Sequence, residues 1–234
     1  MIQFYSPDIE NTMSLPPEEV HHCVKVLRKK AGDVVFVTDG RGSRFECRIT
    51  NADTKRFRLE ILGKELVKKG WNYEITLAVA PTKNADRMAW LVEKATEIGI
   101  DRILFICCRN SERKNVNKAR LERNAISAMN QSLKTHLPEI HDIEDLDSIL
   151  NYKAAGFFGY CDKETRRAEF VKEYRGGDVI IAIGPEGDFN PEEVKKLTDN
   201  GYTAVTFGDE RLRTETAAIF GVSAIHIINL LEKK

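Results

Sequence analysis

The 234-residue sequence has no excess of charge of either sign, since 36 lysines and arginines face 36 aspartates and glutamates. Net charge therefore argues neither for a polyanion ligand nor for an acidic tail, and any basic surface has to be local. Cysteine is too sparse and scattered for a disulfide or zinc framework. Cys23, Cys47, Cys107, Cys108 and Cys161 are odd in number, and none stands in a CxxC or Cys/His spacing that suits a metal. No metal site is expected, and a reducing, cytoplasmic setting is. The opening residues, MIQFYSPDIE, lack the basic stretch and apolar run of a secretory signal. A GxGxxG fingerprint is missing as well, which disfavours a nucleotide-dependent enzyme of the Rossmann type. The longest apolar run, TAAIFGVSAIHIINLL at 216–231, contains Gly221, His226 and Asn229 and falls short of the roughly 20 residues of a bilayer span. It reads as a buried helix without membrane association. A final helix apolar all round needs cover on several faces, so a homodimer is expected.

What is present is enough apolar material, 42% of residues, to bury a core. Up to about residue 70 the pattern is strand-rich: IQFY, VVFVTDG, RFECRITNA and RFRLEILGKEL alternate apolar with polar residues between turn signals, as in a small β-barrel. The exception is PPEEVHHCVKVLRKKAGD, where Val20, Val24 and Leu27 recur at helical spacing before Gly32. From Lys68, Lys69 and Gly70 onward, strands alternate with helical patterns in the manner of βαβ units, which places a domain boundary there and gives domains 1–70 and 71–234. The strands YEITLAVA, RILFIC, AAGFFGY, DVIIAIG and TAVTF are apolar enough for a parallel sheet covered on both faces. Met88, Leu91, Val92, Ala95 and Ile98 mark one amphipathic helix, and a second spans roughly 115–133.

Two loops stand out. Gly184, Pro185, Glu186, Gly187, Asp188 and Phe189 follow a buried strand and precede a well-signalled helix start, with Asn190 as cap, Pro191 in the first helical position, and Glu192 and Glu193 suiting the dipole and able to reach back as a capping box. A glycine-bearing loop at the carboxyl end of a parallel strand is where open α/β sheets bind ligands, although GxxG alone is as easily a plain turn. Its carboxylates, Glu186 and Asp188, would repel a phosphate. S-adenosylmethionine, a sulfonium cation with no phosphate, passes that filter. The second loop, FGDERLRTETAA, leads into the apolar final helix. Thr214 or Thr216 would cap it and Glu215 suits its dipole, but Arg211 and Arg213 are unfavourable beside a helix N-terminus and so look functional.

IGPEGDF followed by FGDERLRTETAA resembles the paired signature of the family that methylates uridine N3 in 16S ribosomal RNA, within the SPOUT superfamily. HHCVKVLRKKAGD, KNADRMAWLVEKATEIGI, RNSERK and, less closely, NQSLKTHLPEI resemble further family segments. Asp188 stands where the family often has a third glycine, and Leu133 and Lys134 replace a Gly-Arg pair. The resemblance implies an α/β fold: an N-terminal PUA-like β-barrel that binds RNA, then a dimeric SPOUT-type α/β trefoil-knot domain with a mostly parallel sheet. It also implies S-adenosyl-L-methionine as cofactor, with Gly184, Glu186, Gly187, Phe207, Gly208, Leu212 and Thr214 lining its pocket, and 16S ribosomal RNA within the small subunit as partner.

Uridine N3 carries a proton and becomes nucleophilic only as that proton leaves. Arg213 is the candidate for stabilising the resulting charge, and Glu215 the candidate base. For holding RNA, residues 102–134 carry eight basic side chains against Glu112 and Glu122. Arg113 and Lys114 are candidate contacts there, with Arg87 on the preceding helix and Lys25 and Arg28 in the first domain. The competing reading is a non-catalytic RNA-binding dimer, which uptake of S-adenosylmethionine would distinguish.

Overall fold

The structure, a computed structural model, describes residues 2–162 and 167–232. The chain divides into two compact units. One runs to Gly70 and includes Ile126–Leu137, and the other comprises Trp71–Ala125 and the chain from Pro138 onward.

In the first unit, β1 (Gln3–Tyr5), β2 (Val34–Thr38), β3 (Ser43–Asn51) and β4 (Arg58–Leu66) form a four-stranded sheet in that order, antiparallel except for the β1–β2 pair. The alternation read from the sequence sets its inner face: Ser43, Phe45, Cys47 and Ile49 of β3 are buried, and the residues between them are not. Phe45, Cys47 and Ile49 join Phe4, Val35, Val37 and Leu59 in one core. After a short α1 (Ile9–Thr12), the expected helix is present but changes pitch. Its first turn, α2 (Pro17–His21), continues through His22–Val26 as a π-helical turn, in which the Leu27 N–H donates to the His22 carbonyl at 2.9 Å. Arg28, at φ +55°, ends it. The last turns of α4 (Lys118–Gln131) belong to this unit and stop at Leu133, whose φ is +57°. Gln3 Nε2 donates to the Lys134 carbonyl and Arg44 Nη2 to that of Leu133.

The second unit is a seven-stranded sheet. β5 (Ile75–Val79), β6 (Arg102–Cys107), β7 (Glu139–Asp145), β8 (Ala155–Gly159), β9 (Ala168–Glu169), β10 (Val179–Ile183) and β11 (Thr203–Thr206) are ordered β7-β6-β5-β10-β8-β11-β9, and every pairing is parallel. β5 and β10 are buried along their whole length, as unbroken apolar runs require. β7, EIHDIED, escapes a hydrophobicity reading because it is a charged edge strand with Ile140 as its one buried residue. α3 (Ala85–Ile98), the first part of α4, a 3-10 helix at Leu146–Asn151, α5 (Phe170–Glu173), α6 (Pro191–Asp199) and α7 (Thr214–Glu232) complete the unit. Leu197 of α6 joins the core cluster containing Ala78, Phe158 and Ile180, and α7 packs on β5, β10 and α3.

α7 lies close to β10 because Gly221 has no side chain: a Cβ there would fall 2.6 Å from Ile181 Cδ1. Two of its polar residues are satisfied within the unit: Asn229 Nδ2 donates to the Tyr174 hydroxyl and His226 Nε2 is bonded to the Gly99 carbonyl. The helix is longer than the apolar run and meets the length and composition of a membrane span, with half of Thr214–Leu231 buried against the unit. One stripe is not covered: Phe220, Ile227, Leu230 and Leu231 are exposed.

Candidate active site

β10, β8 and β11 are neighbours running in the same direction, so the loops leaving their carboxyl ends meet at one edge of the sheet. Together with the first turn of α7 they wall a cavity of about 550 Å³, within the ~300–1,000 Å³ range of small-molecule sites.

The loop after β10 is braced from both sides. Asn110 Nδ2 donates to the carbonyls of Gly187 and Asp188, Glu186 Oε1 accepts from the Lys83 N–H at 3.2 Å, and Arg211 Nη2 donates to the Glu186 carbonyl. Asp188 adopts φ +62°, the left-handed conformation for which glycine is the usual residue. Its carboxylate offsets that strain by accepting from the Cys161 and Phe189 N–H groups, both at 2.9 Å. Asn190 and Glu193 form the anticipated reciprocal cap of α6. The loop after β11 turns at Gly208, φ +132°. The expected capping role of the threonines is corrected here. Thr214 is the first residue of α7, is buried, and its hydroxyl donates across the cavity wall to the Gly184 carbonyl at 3.1 Å.

The described wall carries five carboxylates (Glu186, Asp188, Asp209, Glu210 and Glu215) and four arginines, with no lysine among them. Glu215 is 7% exposed. Its Oε1 lies 3.5 Å from Arg87 Nε, while Oε2 is buried without a hydrogen-bond partner. Burial and the negative charge of Asp188 push the Cys161 thiol at the cavity rim up. At neutral pH it is therefore a thiol, not the thiolate that a covalent route would need.

The structure brings together Gly184, Glu186, Phe207, Gly208, Leu212, Arg213, Thr214 and Glu215 in this one wall. Gly187 is not part of it and faces Asn110. Arg87, expected among the RNA contacts, stands in the cavity wall. Arg113 donates to the Lys83 carbonyl, whereas Lys114, Lys25 and Arg28 are exposed. The basic stretch 102–134 is less free than its count suggests, because Arg102 pairs with Glu74 and Glu139, Lys118 with Asp142, and Arg120 with Asp86. Sequence reasoning also missed Tyr160 and Arg167, which line the cavity from just after β8 and just before β9 and carry no motif.

Two family profiles match the chain: an RNA methyltransferase domain over residues 69–226 and an RNA methyltransferase PUA domain over residues 15–62. The chain belongs to the RNA methyltransferase family. Ribosomal RNA small subunit methyltransferase E of Bacillus subtilis is 25% identical to this methyltransferase over 230 residues, covering 92% of this chain and 89% of that protein. The protein of the same name in Rickettsia conorii is 28% identical, covering 89% and 86%. Among solved structures, a probable rRNA-methyltransferase from Porphyromonas gingivalis matches with a TM-score of 0.93 at 42% identity over 100% of both chains. A ribosomal RNA small subunit methyltransferase E from Neisseria gonorrhoeae bound to S-adenosyl methionine matches with a TM-score of 0.85 at 25% identity, covering 97% and 98%.

Proposed function

We propose that this enzyme transfers a methyl group from S-adenosylmethionine to N3 of a uridine in 16S ribosomal RNA of the small subunit. The observation that carries the reading is the cavity at the carboxyl ends of β8, β10 and β11. The loop after β10 brings the carboxylates of Glu186 and Asp188 into its described wall, where five carboxylates in all stand beside four arginines, a mixed lining that suits a donor carrying a cationic sulfur and an ammonium group beside a carboxylate. Such a donor, when bound, supplies a methyl group on positively charged sulfur, and the electrons of the broken C–S bond stay with the sulfur. Gly184, Glu186, Phe207, Gly208, Leu212 and Thr214 hold it; Gly187 supports the loop from outside the wall.

For the transfer, the N3–H proton passes to the Glu215 carboxylate as the nitrogen lone pair takes the methyl carbon. Arg213, exposed at the mouth of the cavity, faces the negative charge that develops on the uracil oxygens. Lys25 and Arg28 in the first unit and Arg113 and Lys114 in the second contact RNA phosphates. The first unit is the PUA-like RNA-binding barrel and the second a SPOUT-type trefoil-knot domain, acting in the cytoplasm as a homodimer through α7.

Calorimetry with S-adenosylmethionine and nucleoside mass spectrometry of ribosomal RNA from a strain lacking the gene, with and without its restoration, test the proposal together. Saturable uptake and a 3-methyluridine that returns with the gene are expected. Absence of either result overturns it.

A further inference from the structure

Resting on that reading of the cavity, we propose that Arg87 is a positioning residue for Glu215, holding one carboxylate oxygen so that the other is presented to the proton at uridine N3. Three observations carry this. Glu215 is 7% exposed, and a carboxylate so enclosed is costly unless its oxygens have partners. Arg87 Nε, 3.5 Å from Oε1, engages one of them. The second oxygen, Oε2, is buried in a residue of the cavity wall and has no donor. A native carboxylate half satisfied in this way calls for an explanation, of which a catalytic role is one, and the N3–H of a uracil in the cavity is a donor of the right kind.

The arginine is placed by rigid elements. It sits in the first turn of α3, which Asn84 caps through the Asp86 N–H at 2.8 Å, and Asp86 is held in turn by Arg120 at 2.7 Å. The loop before α3 is tied to the loop after β10 by the Lys83 N–H on Glu186. Both partners of the pair therefore stand on backbone fixed to the same cavity. A surface arginine serving RNA phosphates would have no reason to direct its Nε at an enclosed carboxylate. In the transfer itself the proton leaves N3 for Oε2, the nitrogen lone pair forms the N–C bond, and the C–S electron pair stays on sulfur. Arg87 gains and loses nothing and keeps the carboxylate in register.

The test is a double-mutant cycle on the full-length enzyme, using small ribosomal subunits from a strain lacking the gene as substrate and circular dichroism with thermal unfolding as the measure of an intact fold. Arg87→Ala is expected to lower kcat about 100-fold, the order of loss for a misplaced reacting group, with little change in KM for the subunit. In a Glu215→Gln background the same substitution should cost less than about 3-fold, because residues acting as a unit are non-additive. Arg87→Lys should recover part of the rate and Arg87→Gln none; this comparison decides the matter if the alanine variant does not fold. Full multiplicative losses, an effect confined to KM, or equal rates for the lysine and glutamine variants overturn the positioning role while leaving the methyltransferase reading standing. A wild-type enzyme that fails to methylate the subunits overturns that reading instead.

Discussion

Asp188 shows how one side chain reconciles an unfavourable backbone with a cavity. The left-handed conformation costs an L-residue about 1–2 kcal/mol, whereas a hydrogen bond contributes about 1 kcal/mol and one to a charged group somewhat more. Two such bonds, to the Cys161 and Phe189 N–H groups, outweigh the strain, so aspartate is tolerated where glycine would be the easy solution. Asp188→Gly exchanges the bonds for relief of strain and should lower stability only slightly. Asp188→Ala loses the bonds and keeps the strain, and should cost about 2 kcal/mol. Urea unfolding midpoints in the order wild type, glycine, alanine would bear this out, and an alanine variant as stable as the glycine variant would contradict it. Leu133, the other residue placed where the family pattern has glycine, is also left-handed, at φ +57°. Both departures were visible in the sequence as odd letters in a motif. Their shared backbone conformation was not, because φ at a single position leaves no pattern that periodicity can detect.

At the scale of elements, the α6 N-terminus links a local signal to the site. The Asn190 side chain accepts from the Glu193 N–H and the Glu193 carboxylate from the Asn190 N–H, each at 2.8 Å, and the second Glu193 oxygen takes the Arg109 N–H at 2.7 Å. The cap therefore joins the helix to the chain after β6 as well as closing its own first turn. Asn190→Ala should destabilise the enzyme by about 1 kcal/mol, and Glu193→Ala by more, since it leaves the Arg109 N–H without its acceptor. Thermal unfolding that ranks the two the other way would show that the link to Arg109 adds nothing. This cap was legible in the sequence because its determinants lie three residues apart. So were β5, β10 and α3, whose apolar spacing repeats locally, and so were the two loops that wall the cavity. The sequence was silent where partners are distant or unpatterned. β7 is a charged edge, the π turn after α2 has no sequence code, and Arg87 meets Glu215 across a separation that no window spans. Arg87 accordingly read as one more basic residue on a helix, although its charge is directed inward.

For the whole molecule, the uncovered stripe of α7 remains to be accounted for. Phe220, Ile227, Leu230 and Leu231 are between 43% and 69% exposed, and their spacing of seven, ten and eleven residues from the first places them along one side of the helix. Full burial of a large apolar side chain is favourable by about 1.5–3 kcal/mol, so four of them on each of two copies could offset an association cost of roughly 4–15 kcal/mol. In the proposed homodimer a second copy covers this stripe, since a stripe on one helix can pair with itself about a two-fold axis. The wild-type enzyme should therefore sediment as a dimer at micromolar concentration. Ile227→Asp combined with Leu230→Asp should sediment as a monomer that keeps its helical circular dichroism, because neither side chain supports the sheet. A wild-type monomer at that concentration, or a doubly substituted dimer, would mean that copies do not meet through this face.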